Sequence, residues 1–211
     1  MTEILKKNDY PSVYLKASEL CVCRKPTVVK TVLGSCVAVT MFCARRKIGM
    51  MCHAMMPHPG IRDSEDSHDP AIQFKYVSRV IPEMVRRMSS YGIKQNEIEV
   101  KLFGGAGMKI FSALSAGSSF ATPCSNGSFA IGKSNVKIAK QLIETKNLRL
   151  IAEDVGGSLG RKIIFHSDTG RVLLKRINSK NTITHAVNEP GHLFPEPVNR
   201  LRLCSTLKSW P

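Results

Sequence analysis

The sequence predicts an α+β fold of layered sheet and helix. Three observations carry that reading: β-branched, strand-like runs early and late in the chain, two amphipathic helical stretches between them, and no regular strand–helix alternation of the kind a doubly wound sheet requires. With 211 residues the chain is long enough for one domain with a sizeable core, or for two small ones. Its apolar content of 43% is ordinary for a globular protein, so wholesale disorder is not expected.

Taken in order, residues 27–42 read as two strands, "TVVKTVL" and "CVAVTMF", separated by a bend at Gly34-Ser35. After a short polar turn, "ARRK", the stretch "KIGMMCHAMMP" reads as a third strand closed by Pro57. The Pro-, Asp- and Ser-rich run that follows is expected to be an exposed loop. Asp69-Pro70 supplies a helix start, with Asp69 as cap. Val77, Val80, Ile81, Met84, Val85 and Met88 then recur at three- and four-residue steps, one apolar helix face ending near Gly92. Pro82 lies inside that pattern and is expected to bend or break it. "EIEVKLFGGAGM" reads as a strand entering a glycine turn, and "IGKSNVKIAKQLIETKN" as a helix capped by Ser134 or Asn135. "LRLIAEDVGGSLGRKIIFHSDTGRVLLKRI" reads as strands parted by Gly-Gly and Thr-Gly turns. Residues 178–211 hold four prolines and few apolar clusters, and are expected to be a basic, poorly ordered tail.

The formal net charge of +15 favours acidic partners without choosing among nucleic acid, anionic lipid and acidic protein. Zinc-finger spacing, long basic blocks and RNP-like aromatics are missing, so specific nucleic-acid recognition is not expected. The opening residues lack the apolar core of a signal peptide, and no apolar span is long enough to cross a bilayer. The expected compartment is the cytoplasm. Seven cysteines at irregular intervals suit reduced thiols. Cys21 and Cys23 lack a second nearby pair to complete a metal site, and neither metal nor cofactor is expected.

One cysteine stands apart. Cys36 follows a Leu-Gly-Ser turn and precedes an apolar strand. Taken alone it reads as a buried, inert thiol, because most free cysteines are. A thiol with a pKa near ~8.5 is only a few per cent thiolate at neutral pH, so a nucleophilic role needs a base. If the strands on either side of "ARRK" form a hairpin, His53 falls beside Cys36, while Cys52 points to the opposite face. Backbone N–H groups beside the turn could then face an oxyanion. His53 alone reads more simply as a core histidine. His166 is a spare candidate base, His58 and His68 lie in the polar loop, and Ser35 is a turn residue.

Five segments in chain order resemble the signatures of one family: "TVLGSCVAV", "GMMCHAMMP", "VKLFGGAGM", "IGKSNV" and "EDVGGSLGRKIIFHSDTGRVLLKRI". They are similar to those of CheD, the chemoreceptor glutamine deamidases of bacterial chemotaxis, over residues 27–177. The resemblance implies a single-domain three-layer sandwich of sheet and helices, related to toxins that deamidate glutamine. Residues 1–26 are then an N-terminal extension with a first strand, 27–177 the catalytic domain, and 178–211 the tail. It also implies Cys36 as nucleophile, His53 as its base and Thr31 as the residue supporting the histidine, with Thr27 and Thr40 as poorer candidates. "CARRK" departs from the family, where an aromatic-Asp turn is common. The implied reaction converts receptor glutamine to glutamate through a thioester. The implied partners are chemoreceptor cytoplasmic domains, near the membrane through the receptors, and a CheC-type phosphatase. The enzyme is expected to be a monomer. The alternative is an adaptor that binds receptors or the phosphatase with little catalysis.

Overall fold

The structure is a computed structural model that describes residues 10–60, 70–107, 127–177 and 201–204. Among the described residues, ten strands form two sheets: β1 (Ser12–Tyr14), β2 (Glu19–Cys23), β3 (Val28–Leu33), β4 (Val37–Cys43), β5 (Ile48–Ala54), β6 (Glu99–Gly104), β7 (Arg149–Val155), β8 (Gly160–His166), β9 (Val172–Ile177) and β10 (Leu201–Cys204). The smaller sheet has the order β1-β3-β8-β9, and the larger has β10-β2-β5-β4-β6-β7. The helices are α1 (Pro70–Gln73), α2 (Val77–Ser90) and α3 (Gly127–Thr145).

Burial sorts these elements into three layers. In the larger sheet, Val37, Val39 and Met41 of β4 and Met50, Cys52 and Ala54 of β5 pack on the helix side, against Val77, Ile81 and Met84 of α2 and Ala139 and Ile143 of α3. Alternate residues of the same strands, Ala38 and Met51, together with Phe103 of β6, face the smaller sheet and meet Val29, Leu33, Ile163 and Phe165. Burial on both faces explains why β4 and β5 read as near-continuous apolar runs. The expected α+β sandwich is therefore observed, with the six-stranded sheet as its middle layer. Nearly buried Arg161 ties the two sheets at one end: Nε donates to Asp154 of β7 at 2.9 Å and Nη2 to the Gly156 carbonyl at 2.7 Å.

Most elements follow the sequence reading. The six apolar positions of α2 are all buried, and "ARRK" is the β4–β5 turn. Two readings differ. Pro82 does not break α2; the helix runs through it, and the break lies upstream between α1 and α2. Ser78, whose carbonyl Pro82 cannot bond, is half-exposed near the helix start, which lessens the cost. The second long helix begins at Gly127, so neither Ser134 nor Asn135 caps it; Asn135 bonds to other segments instead. Asp69 lies outside the described residues. So does the segment after Ile177, apart from β10, which pairs parallel to β2.

Candidate active site

The chain changes sheets at Cys36. β3 belongs to the smaller sheet and β4 to the larger, so Gly34-Ser35-Cys36 is the crossing between them. All three carbonyls of this crossing are taken: Gly34 by the Ala106 N–H at 2.9 Å, Ser35 by Asn135 Nδ2 at 3.0 Å and Cys36 by the Gly105 N–H at 2.8 Å. The loop is thus held from behind, and the Cys36 side chain is half-buried at the edge of the inter-sheet core. Burial pushes its thiol up from the ordinary value, opposed only by its own backbone N–H.

His53 reaches the same side of the sheet by register. β4 and β5 pair antiparallel with Ala38 opposite His53, which puts Cys36 diagonally across from the histidine, just beyond the Val37–Ala54 pair. Diagonal positions of such a pair stand roughly 7–8 Å apart, within reach of long side chains. Cys52 points the other way, into the helix-side core, where burial pushes its thiol up to about 12. Among the described residues no hydrogen bond joins the Cys36 thiol to the His53 ring, a looseness usual before substrate arrives.

Thr31 meets His53 from the other sheet. Its Oγ1 lies 2.9 Å from His53 Nδ1 and donates to the Leu15 carbonyl at 2.8 Å, with Thr31 fully buried. A hydroxyl has one proton, and the carbonyl can only accept. Oγ1 must therefore accept at the imidazole side, which makes Nδ1 the protonated nitrogen and leaves Nε2 as the basic one. Burial lowers the His53 pKa to about 4, with the Leu15 carbonyl opposing the shift. At neutral pH the site thus holds a neutral thiol and a neutral imidazole rather than an ion pair. Such a pair can attack an electrophilic carbonyl if the proton leaves sulfur as the bond forms.

The remaining candidates lie elsewhere. Thr27 Oγ1 donates to Lys25 and its N–H to Ser167, and Thr40 sits on β4 opposite Met51. His166 is on β8 next to Phe165, which points inward, so the His166 side chain takes the outer face. His58 is exposed, and His68 lies outside the described residues. Cys21 and Cys23 are buried between the sheets with their sulfurs 3.5 Å apart; the Cys21 contact pulls the Cys23 thiol down. Among the described residues no three His, Cys, Asp or Glu side chains are grouped to hold a metal ion, and no helix is long and apolar enough to cross a membrane. Sequence reasoning missed Asn135, which it took for a cap. The available signal was a polar residue on the apolar stripe of α3, between Gly132 and Ala139.

Comparison with known proteins points in one direction. Residues 55–176 match the family described as CheD chemotactic sensory transduction, a match that begins two positions after His53. The chain is 37% identical over 172 residues to the probable chemoreceptor glutamine deamidase CheD of Maridesulfovibrio salexigens, covering 81% of this chain and 95% of the relative. It is 42% identical over 168 residues to the probable chemoreceptor glutamine deamidase CheD 2 of Geobacter sulfurreducens, covering 80% and 91%. A probable chemoreceptor glutamine deamidase CheD of Methanococcus maripaludis is 30% identical over 169 residues, covering 80% and 97%.

Proposed function

The chain belongs to the CheD family, and on that premise we propose that it hydrolyses glutamine side chains of chemoreceptors to glutamate, with Cys36 as nucleophile, His53 as proton carrier and Thr31 as the residue that orients the histidine. The family supports chemoreceptor glutamine deamidation as the activity. The observation that carries the residue assignment is the contact of Thr31 Oγ1 with His53 Nδ1, which leaves Nε2 as a base on the side of the sheet where Cys36 is half-exposed.

In the proposed cycle the Cys36 sulfur attacks the carboxamide carbon as its proton passes to His53 Nε2. The oxyanion of the tetrahedral adduct faces the Cys36 amide N–H. His53 then gives its proton to the departing nitrogen, the C–N bond breaks, and ammonia leaves a thioester on Cys36. Water attacks the thioester carbon while His53 takes one of its protons, and the proton returns to sulfur as the C–S bond breaks. The balance is glutamine plus water to glutamate plus ammonia, with no redox step and no cofactor.

The chemistry needs a reduced thiol and a receptor cytoplasmic domain, so the proposed activity belongs in the cytoplasm. The net charge of +15 would draw the enzyme to acidic receptor helices, an attraction that salt weakens. A CheC-type phosphatase covering the Cys36 crossing would compete with the receptor. The test is incubation of a receptor cytoplasmic fragment with the wild type and with Cys36→Ala, followed by peptide mass spectrometry. Wild type should convert specific glutamines and Cys36→Ala none while keeping its melting temperature. Equal conversion by both proteins would remove Cys36 from the mechanism.

A further inference from the structure

Asn135 sits in the interior of α3 with no exposed surface. A polar side chain there is costly unless it is bonded. Its Nδ2 donates to the Ser35 carbonyl at 3.0 Å and to the Met55 carbonyl at 2.9 Å. Ser35 immediately precedes Cys36, and Met55 follows His53 by two residues. The β4–β5 ladder that relates these segments closes at Val37 and Ala54. The two amide protons thus join the nucleophile loop to the histidine strand just past the point where the ladder ends.

The same helix supports the loop a second time. Gly132, three residues earlier and on the same face, lies so close to the Gly105–Ala106 turn that a Cβ there would stand 2.8 Å from the Gly105 oxygen and 2.9 Å from the Ala106 oxygen. Gly105 and Ala106 in turn donate to the Cys36 and Gly34 carbonyls. Meanwhile Asn135 Oδ1 is buried without a hydrogen-bond partner. An apolar side chain of the same size would fill the space without leaving that oxygen unpaired, so packing alone does not account for an asparagine here.

We propose that Asn135 is a positioning residue for the deamidation, its amide group setting the spacing between Cys36 and His53. This rests on the Cys36–His53 reading above. Asn135→Leu keeps the branched outline of four heavy atoms and removes both bonds, whereas Ala139→Gly loosens the same helix one turn away without touching the loop. For each variant three quantities are measured: melting temperature, kcat and KM on a receptor fragment, and the pH profile of Cys36 alkylation by iodoacetamide, read on the Cys36 peptide. Asn135→Leu should lower kcat about 10–100-fold with KM within about twofold, the scale of a small misplacement of reacting groups. Its alkylation profile should move relative to wild type. Ala139→Gly should keep both kcat and profile despite its lower melting temperature. If Asn135→Leu does not fold, Asn135→Ser, which introduces no clash, supplies the same comparison. A kcat loss no greater than that of Ala139→Gly, or an unmoved alkylation profile, overturns the proposal. Cys36→Ala separates the two claims: if it retains turnover, the nucleophile assignment fails, and if it is inert while Asn135→Leu matches Ala139→Gly, only the positioning role fails.

Discussion

Thr31 Oγ1 and His53 Nδ1 stand 2.9 Å apart although they come from different sheets. The contact joins the two sheets through a pair of polar groups beside the apolar cluster that fills the interlayer. Because the threonine proton is directed at the Leu15 carbonyl, this one bond fixes the imidazole tautomer as well as its position. The nitrogen available for proton transfer is thus set by β3 and by the residue that follows β1, not by the strand that carries the histidine.

Thr31→Val keeps the shape and removes the hydroxyl. It is expected to lower kcat about tenfold or more, as expected for a small loss of alignment. It also takes the hydroxyl partner away from the Leu15 carbonyl and from His53 Nδ1, at a cost of about 1–3 kcal/mol. Thr31→Ser retains the hydroxyl and should keep most of the activity. Deamidation kinetics and urea unfolding on both variants check the pair; equal activity in Thr31→Val and wild type would contradict it.

Stability should depend on pH through His53. The unfolded chain takes up a proton on this ring near pH 6.5, whereas burial holds the folded value down to about 4. The unfolded state therefore binds more protons between those values, so stability rises with pH across that window. The contribution is complete above pH 6.5 and is lost as pH falls through 4, a change of about 3 kcal/mol. Urea unfolding at a series of pH values should show this slope in the wild type and a flatter one in His53→Asn. Identical slopes would mean that another group dominates.

Gly104 should tolerate no side chain. Its φ is +109°, and a Cβ would lie 2.2 Å from the Cys36 carbonyl oxygen. Gly104→Ala is expected to displace the nucleophile loop, cost about 1–3 kcal/mol and reduce turnover. Gly156→Ala is the control: its φ of +71° carries backbone strain, but nothing lies within 4 Å of its Cβ position. It should lose some stability and keep its turnover. Thermal melts and deamidation rates on the two variants distinguish them.

Strand identity, the "ARRK" turn and the opposite facing of Cys52 and His53 were legible because alternation along a strand and the length of a turn are local signals. The division of strands between sheets was not. "TVVKTVL" and "CVAVTMF" read as consecutive strands, and nothing local says that they belong to different layers with Cys36 at the crossing. Thr31 entered only through family resemblance, since its partner lies across the sandwich. Asn135 was misread for a related reason: asparagine favours helix caps, and here its amide is satisfied by two carbonyls far away in the sequence. Pro82 broke a local rule that a half-exposed first turn could accommodate.

The central claim is a covalent bond at one sulfur, and acid quenching during turnover tests it most directly. Wild-type enzyme mixed with a receptor fragment, quenched within a single turnover and digested, should yield a hydroxylamine-labile thioester between the substrate glutamyl group and the Cys36 peptide. Turnover with no adduct on Cys36 at any quench time, or an adduct on a different cysteine, would contradict the account.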